Sequence, residues 1–262
     1  MDGGGESLSI VDGWQETPEA RSYINQLLIR NKRILFGILE RPALEQLGSG
    51  STFKKRLFLV GKSGVGKSST VAKLCGRDIS SSHDETLGIQ TTTIYWPAKI
   101  ASSRKVIVLE LELWDSGERA MNKFDHILSA CQEATDGYVF FFSYADRHSW
   151  EDLPHLIART TGRKDSTLKM VVGTHADSVQ REVTEAEIEQ FQNTTKLITL
   201  PITNINSPRL ADRRTPDGRA GVMEIAPFMN ALTQILLVHD WNRGLLPSSL
   251  VTPSADSESP SQ

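Results

Sequence analysis

The chain has 262 residues, 39% hydrophobic and 23% charged, with a formal net charge of −3. That length suits one domain of ordinary size with extensions, or two small ones, and the charge gives no global attraction to nucleic acid or anionic lipid. Two cysteines, Cys75 and Cys131, fall in helical patterns, which argues against a disulfide framework and for a reducing, cytoplasmic compartment.

Residues 1–16 are Gly/Ser-rich and polar and are expected to be disordered. They lack the charged and apolar regions of a signal peptide, and Asp2 removes the usual myristoylation start. Thr17-Pro18 reads as a helix start, with Thr as N-cap and Pro at the first helical position. Tyr23, Leu27, Ile34, Leu35, Ile38 and Leu39 follow at roughly helical spacing. They predict one helix reaching Glu40, or two broken near Gly37. Arg30, Lys32 and Arg33 beside these apolar residues fit two readings. One is an amphipathic face for a partner or membrane surface; the other is solvated charge on a helix packed against the main domain. With the Gly/Ser linker at 48–51, residues 17–52 form an N-terminal extension.

From 53 to 243 strands and helices alternate. Strands are expected at 56–60, 138–143, 168–173 and 198–203, with an antiparallel pair at 91–100 and 105–114 turning at 101–103. The apolar runs at 138–143 and 168–173 suit central strands covered on both faces. Helices are expected at 67–75, 119–133, 148–161, 184–196 and 219–240. This order predicts an α/β fold whose sheet is mostly parallel. The basic cluster Arg209, Arg213, Arg214 and Arg219 precedes the last helix, as a solvated loop or a partner contact. Residues 244–262 are Pro/Ser-rich and expected to be disordered; they end without a prenylation cysteine, so no lipid anchor is expected. No apolar run approaches the about 18–20 residues that span a bilayer.

Residues 61–68, Gly-Lys-Ser-Gly-Val-Gly-Lys-Ser, fit the phosphate-loop pattern G-x-x-x-x-G-K followed by S or T. Phosphate oxygens need several backbone N–H groups aimed at one point, with a helix N-terminus behind them. The context matches, since an apolar strand ends at Val60 and a helix begins at Lys67. Gly61, Ser63, Gly64, Val65, Gly66, Lys67, Ser68 and Ser69 are the candidate phosphate-binding residues. Lys67 is expected at the β- and γ-phosphates and the Ser68 hydroxyl on Mg²⁺.

Later segments resemble those of Ras and Rab small GTPases. Thr86 lies 18 residues beyond Ser68, the offset of the first-switch threonine, and heads Thr-Leu-Gly-Ile-Gln, similar to the Rab run T-I-G-V followed by D or E. The resemblance implies that Thr86 caps Mg²⁺ and senses the γ-phosphate. Trp114-Asp115-Ser116-Gly117-Glu118-Arg119 resembles the second-switch run W-D-T-A-G-Q-E-R, shortened by one residue. Asp115 then orients a metal-bound water and the Gly117 N–H meets the γ-phosphate. Thr174-His175-Ala176-Asp177 follows a strand as the guanine-reading motif N-K-x-D does, with His at the Lys position. Asp177 is the candidate for guanine N1 and N2. The next base-contact loop falls at Thr203-Asn204-Ile205, a poor match, and the base-covering aromatic falls at Ile79. Both departures imply weak nucleotide affinity.

The chain is similar in particular to the Rab-like GTPase of the ciliogenesis and planar polarity effector complex. The resemblance rests on residues 61–68, 88–92, 96–99, 114–118, 123–126, 151–154, 209–212 and 217–221, and covers most of 14–246. It implies the P-loop small-GTPase fold, a mostly parallel six-stranded sheet with helices on both faces. It also implies GTP/GDP and Mg²⁺ as cofactors, a chain monomeric by itself, and GTP-dependent docking onto the Fuzzy–Inturned longin-domain assembly. The place would be the cytoskeleton at the basal body of the cilium. Glu118 stands where the family has the water-orienting glutamine. It lacks the amide donor and its charge repels the γ-phosphate, so hydrolysis is expected to be slow or partner-dependent. Two functions stay open: a switching GTPase, and a nucleotide-stabilised adaptor that does not hydrolyse.

Overall fold

A computed structural model of the protein describes residues 8–30, 33–34, 51–80, 85–86, 88–117, 135–161 and 167–252. In chain order the elements are α1 (Pro18–Leu27), β1 (Ile29–Arg30), β2 (Arg33–Ile34), β3 (Ser51–Val60), α2 (Lys67–Leu74), β4 (Ile89–Lys99) and β5 (Val106–Ser116). There follow β6 (Gly137–Ser143), α3 (Arg147–Glu151), α4 (Leu153–Thr160), β7 (Leu168–Thr174), α5 (Glu185–Thr195), β8 (Thr199–Pro201) and α6 (Gly218–Asn242). The helix expected at 119–133 lies outside the described residues.

Six strands form one sheet in the order β4-β5-β3-β6-β7-β8. All pairs are parallel except β4 with β5, the hairpin read from the sequence. Side chains alternate between the faces of a strand, and here the alternation separates two cores. Leu57, Leu59, Val139, Phe141, Met170 and Val172 face one side, where Val71 and Leu74 of α2 and Ile225, Met229 and Leu236 of α6 cover them. Phe58, Val60, Phe140, Phe142 and Val171 face the other, under Leu153 of α4 and Ile188 of α5. Both β6 and β7 are covered on both sides, which is why they read as near-continuous apolar runs.

Register places the site. Leu59 stands beside Asp115, Val60 beside Phe140, and Ser143 beside Thr174. The carboxyl ends of four strands therefore open on one edge of the sheet, where ligands of such folds bind.

Several expectations are corrected. The N-terminal helix stops at Leu27, and Ile29-Arg30 pairs antiparallel with Arg33-Ile34. β-branched isoleucines favour extended backbone, and this local hairpin overrides an irregular helical spacing. Residues 35–50, including Gly37, lie outside the described residues. Secondly, residues 8–16 are built into the domain. Val11 N donates to Lys99 O at 2.7 Å, Ala101 N to Ser9 O at 2.8 Å, and Trp14 is 2% exposed. The buried Gln15 amide donates to Asn230 Oδ1 at 2.7 Å and accepts from Asn230 Nδ2 at 2.8 Å, while Trp96 Nε1 donates to the same Oδ1 at 2.9 Å. Leu246, Leu250 and Val251, from the expected C-terminal tail, pack with Leu8, Ile100 and Ile107. Composition could not reveal this, because the partners lie far away in sequence. Thirdly, α6 is long and apolar enough to match a bilayer span. Ile225, Met229, Leu232, Leu236 and Leu237 of this helix are buried in the core instead.

The helix expected at 148–161 is two. Asp146 caps α3 by accepting from His148 N and Ser149 N, and Pro154 sits in the first turn of α4.

Candidate nucleotide-binding site

The loop between β3 and α2 has the shape its glycines allow. Gly64 and Gly66 have φ of 82° and 93°, a left-handed conformation costly for other residues, and Gly66 caps α2. Lys67 is 6% exposed, and its ammonium donates to Gly61 O at 2.8 Å and Lys62 O at 2.9 Å, lying across its own loop. The loop, the N-terminus of α2 and Lys67 thus border one cleft, the setting an anionic ligand requires. Ser63, Ser69, Thr86 and Gly117 line the same cleft as Gly66, Lys67 and Ser68.

The three residues expected to hold the metal meet, though they come from three segments. Ser68 Oγ donates to Asp115 Oδ2 at 2.5 Å and lies 3.0 Å from Thr86 Oγ1, which itself donates to Asp115 Oδ2 at 3.4 Å. Asp115 is 3% exposed, and its Oδ1 is buried without a hydrogen-bond partner among the described residues. Burial pushes its carboxyl up from the usual range, against the Ser68 hydrogen bond, the charge of Lys67 and the Thr86 hydrogen bond. An oxygen-only donor set around an orphaned carboxylate oxygen fits a hard cation such as Mg²⁺. Gly117 closes the cluster. A Cβ there would stand 2.0 Å from Thr86 O, so only glycine lets the two switch segments touch. Its N–H, expected at the γ-phosphate, donates to Gly88 O at 3.2 Å. The β4–β5 pairing extends to Ile89 and Ser116, one residue short of this bond, and draws the amide onto the ladder. Meeting a γ-phosphate requires that bond to open. Glu118 lies outside the described residues.

The base side is arranged otherwise than the sequence suggests. Thr174 is fully buried, and its hydroxyl donates to Val65 O at 2.6 Å, clamping the phosphate loop to β7. His175 has φ 55°, and its Nδ1 lies 3.0 Å from Ser143 Oγ and 3.1 Å from Thr174 Oγ1. Asp177 is exposed in the turn closed by Ser178 N to His175 O. Thr203 is half-buried. The Asn204 amide donates to Gly66 O at 3.2 Å and Thr70 Oγ1 at 2.9 Å, bracing the loop. None of these five lines the phosphate cleft. Sequence reasoning missed Ser143, which meets His175, and Asp78 and Asn206, which meet Arg209 and the Ile79 N–H; these contacts cross the fold and no local pattern announces them. Arg209, read as solvated or partner-facing, donates through Nη2 to Asp78 Oδ1 at 2.6 Å and through Nη1 to Arg214 O at 2.5 Å.

Comparison with known proteins agrees with the geometry. The Ras family model matches residues 56–206. Ciliogenesis and planar polarity effector 2 of Xenopus laevis is 42% identical over 239 residues, covering 91% of this chain and 94% of the relative. Its Homo sapiens namesake is 42% identical over 241 residues, covering 91% and 93%. GTP-binding protein REM 2 of Homo sapiens is 28% identical over 152 residues, covering 55% of this chain and 43% of that protein.

Proposed function

We propose a function from one premise: this chain belongs to the Ras family, alongside the ciliogenesis and planar polarity effector 2 proteins. It is thus a small-GTPase-like protein of ciliogenesis. Our finer reading is that it binds GTP and GDP, and docks in its GTP-bound form onto an effector complex that supports cilium assembly. The convergence of Ser68, Thr86 and Asp115 carries this reading, because Thr86 comes from the first-switch segment and Asp115 from the second. A ligand held between them couples both switches to the phosphate loop.

In this reading the amides of residues 61–68 and the Lys67 ammonium hold the phosphates. Ser68 and Thr86 hydroxyls and the Asp115 carboxylate hold Mg²⁺, which supplies positive charge against the phosphate oxygens. Thr174 and Asn204 keep the loop in shape, and Asp177 reads the guanine edge. Ile79 in place of an aromatic leaves the base less covered, so affinity is weaker than is usual in the family. We take the partner to be the Fuzzy–Inturned longin-domain complex, met at the basal body by a chain that is monomeric alone.

The residue after Gly117 favours a second reading. Glu118 cannot donate to an attacking water and brings negative charge towards phosphate, which fits an adaptor that stays GTP-bound. The experiment is to identify the nucleotide on purified protein and follow it for hours with Mg²⁺. Persisting GTP supports the adaptor, and conversion to GDP supports the switch. If neither wild type nor Glu118→Gln turns over GTP with the partner complex added, the enzyme reading fails. If calorimetry detects no uptake of GTP or GDP and Lys67→Ala changes nothing, both readings fail.

A further inference from the structure

We propose that Asn206 and Arg209 are positioning residues that latch the root of the first switch and thereby set how fast nucleotide leaves. The proposal rests on the guanine-nucleotide reading above. Residues 77–80 leave the end of α2 and run beside the phosphate cleft, which Asp78 and Ser80 help to line. Two contacts from the loop before α6 hold this segment. Asn206 Oδ1 accepts the Ile79 N–H at 2.7 Å, and Arg209 donates to Asp78 across 131 residues of sequence.

The latch has a firm base. Leu210 N donates to Thr215 O at 2.8 Å and Asp217 N to Pro208 O at 2.7 Å, closing the loop on itself. Asp212 accepts from Arg214 N and Thr215 N, each at 2.9 Å, and the Arg214 carbonyl accepts from Arg209. Just upstream, Asn204 bonds Gly66 of the phosphate loop. One continuous stretch thus grips both walls of the cleft, and a departing nucleotide has to move one of them. An aromatic side chain over the base would restrain the same segment through the ligand. Here the restraint comes from the protein itself.

Arg209 is 32% and Asp78 59% exposed, so the ion pair slows opening by only about two- to fivefold. The Asn206 bond adds about two- to tenfold. The test uses the full chain loaded with fluorescent GDP and Mg²⁺, chased with unlabelled GDP, with melting temperatures measured alongside. Arg209→Ala and Asp78→Ala should each release two- to fivefold faster at unchanged melting temperature, and the double variant no faster than either. Arg209→Lys should restore part of the delay. At about 1 M salt, where the screening length is about 3 Å, wild type should approach the variants while they barely change. Single variants releasing at the wild-type rate overturn the latch, and so does Asp78→Ala releasing more slowly. If Arg209→Ala does not fold, Asn206→Ala carries the test, and an unchanged rate there overturns it equally. If wild type takes up no label, the nucleotide reading falls and the latch falls with it; if wild type binds and only the variants fail to differ, the latch alone is wrong.

Discussion

Gly117→Ala should separate GTP binding from GDP binding. The added Cβ would sit 2.0 Å from Thr86 O, against a floor of about 3.0 Å for real Cβ contacts, so one segment must move by roughly 1 Å. The obstacle is backbone, and no rotamer change relieves it. Thr86 Oγ1 now lies 3.0 Å from Ser68 Oγ, and the same displacement takes it to roughly 4 Å, beyond hydrogen-bond reach. The bond from Gly117 N to Gly88 O is strained by the same movement. Losing one contact of a threonine hydroxyl to a charged group costs about 1.5–3 kcal/mol. That is about 10- to 150-fold in affinity. The loss should fall on a non-hydrolysable GTP analogue with Mg²⁺, since Thr86 is the residue assigned to the γ-phosphate, while GDP keeps its phosphate-loop contacts and changes by less than about threefold. Titrating fluorescent forms of both nucleotides against wild type and variant gives the ratio. An unchanged ratio, or an equal loss of both nucleotides, would refute the coupling of the two switches through this contact.

Asp115→Asn should raise the melting temperature of nucleotide-free protein at neutral pH while removing the Mg²⁺ dependence of nucleotide affinity. The folded-state pKa of Asp115 is raised, chiefly by burial, so the cost of its charge is absent below the ordinary carboxylate range, grows as pH rises from that range to the folded-state value, and is constant above it. The advantage of the variant over wild type should grow with pH accordingly, and an advantage no larger at pH 7 than at pH 4 contradicts the reasoning. Asn230→Ala should destabilise by about 3 kcal/mol, because it leaves the Trp96 N–H and the Gln15 amide buried without that partner. Thermal unfolding should begin about 5–10 °C lower, with faster proteolysis near residues 8–16; an unshifted transition counts against the network.

The architecture was legible because the two cores write themselves into the chain. Residues 138–143 and 168–173 are nearly continuous apolar runs, broken only by Ser143 and Lys169, since both faces of β6 and β7 are covered. The hairpin of β4 and β5 was legible from two strand-forming runs and a short turn. The same local logic failed at 29–34, where helical spacing and extended propensity competed and a cross-strand pairing decided. It failed again at Trp14 and Gln15, two residues in a polar stretch whose burial depends on β4 and α6.

What the sequence alone determined is the phosphate loop, since backbone turns that need glycine and a following helix are local properties of eight neighbouring residues. Resemblance to small-GTPase segments, an 18-residue offset for Thr86 and a Trp-Asp run for Asp115, also singled these two out as metal-holding candidates. Only the tertiary structure decided that they meet Ser68, that Thr174 and Asn204 brace the loop, and that Arg209 reaches Asp78. Strand register and loop closure set those distances, and both depend on contacts between residues too far apart in sequence for any local pattern to encode.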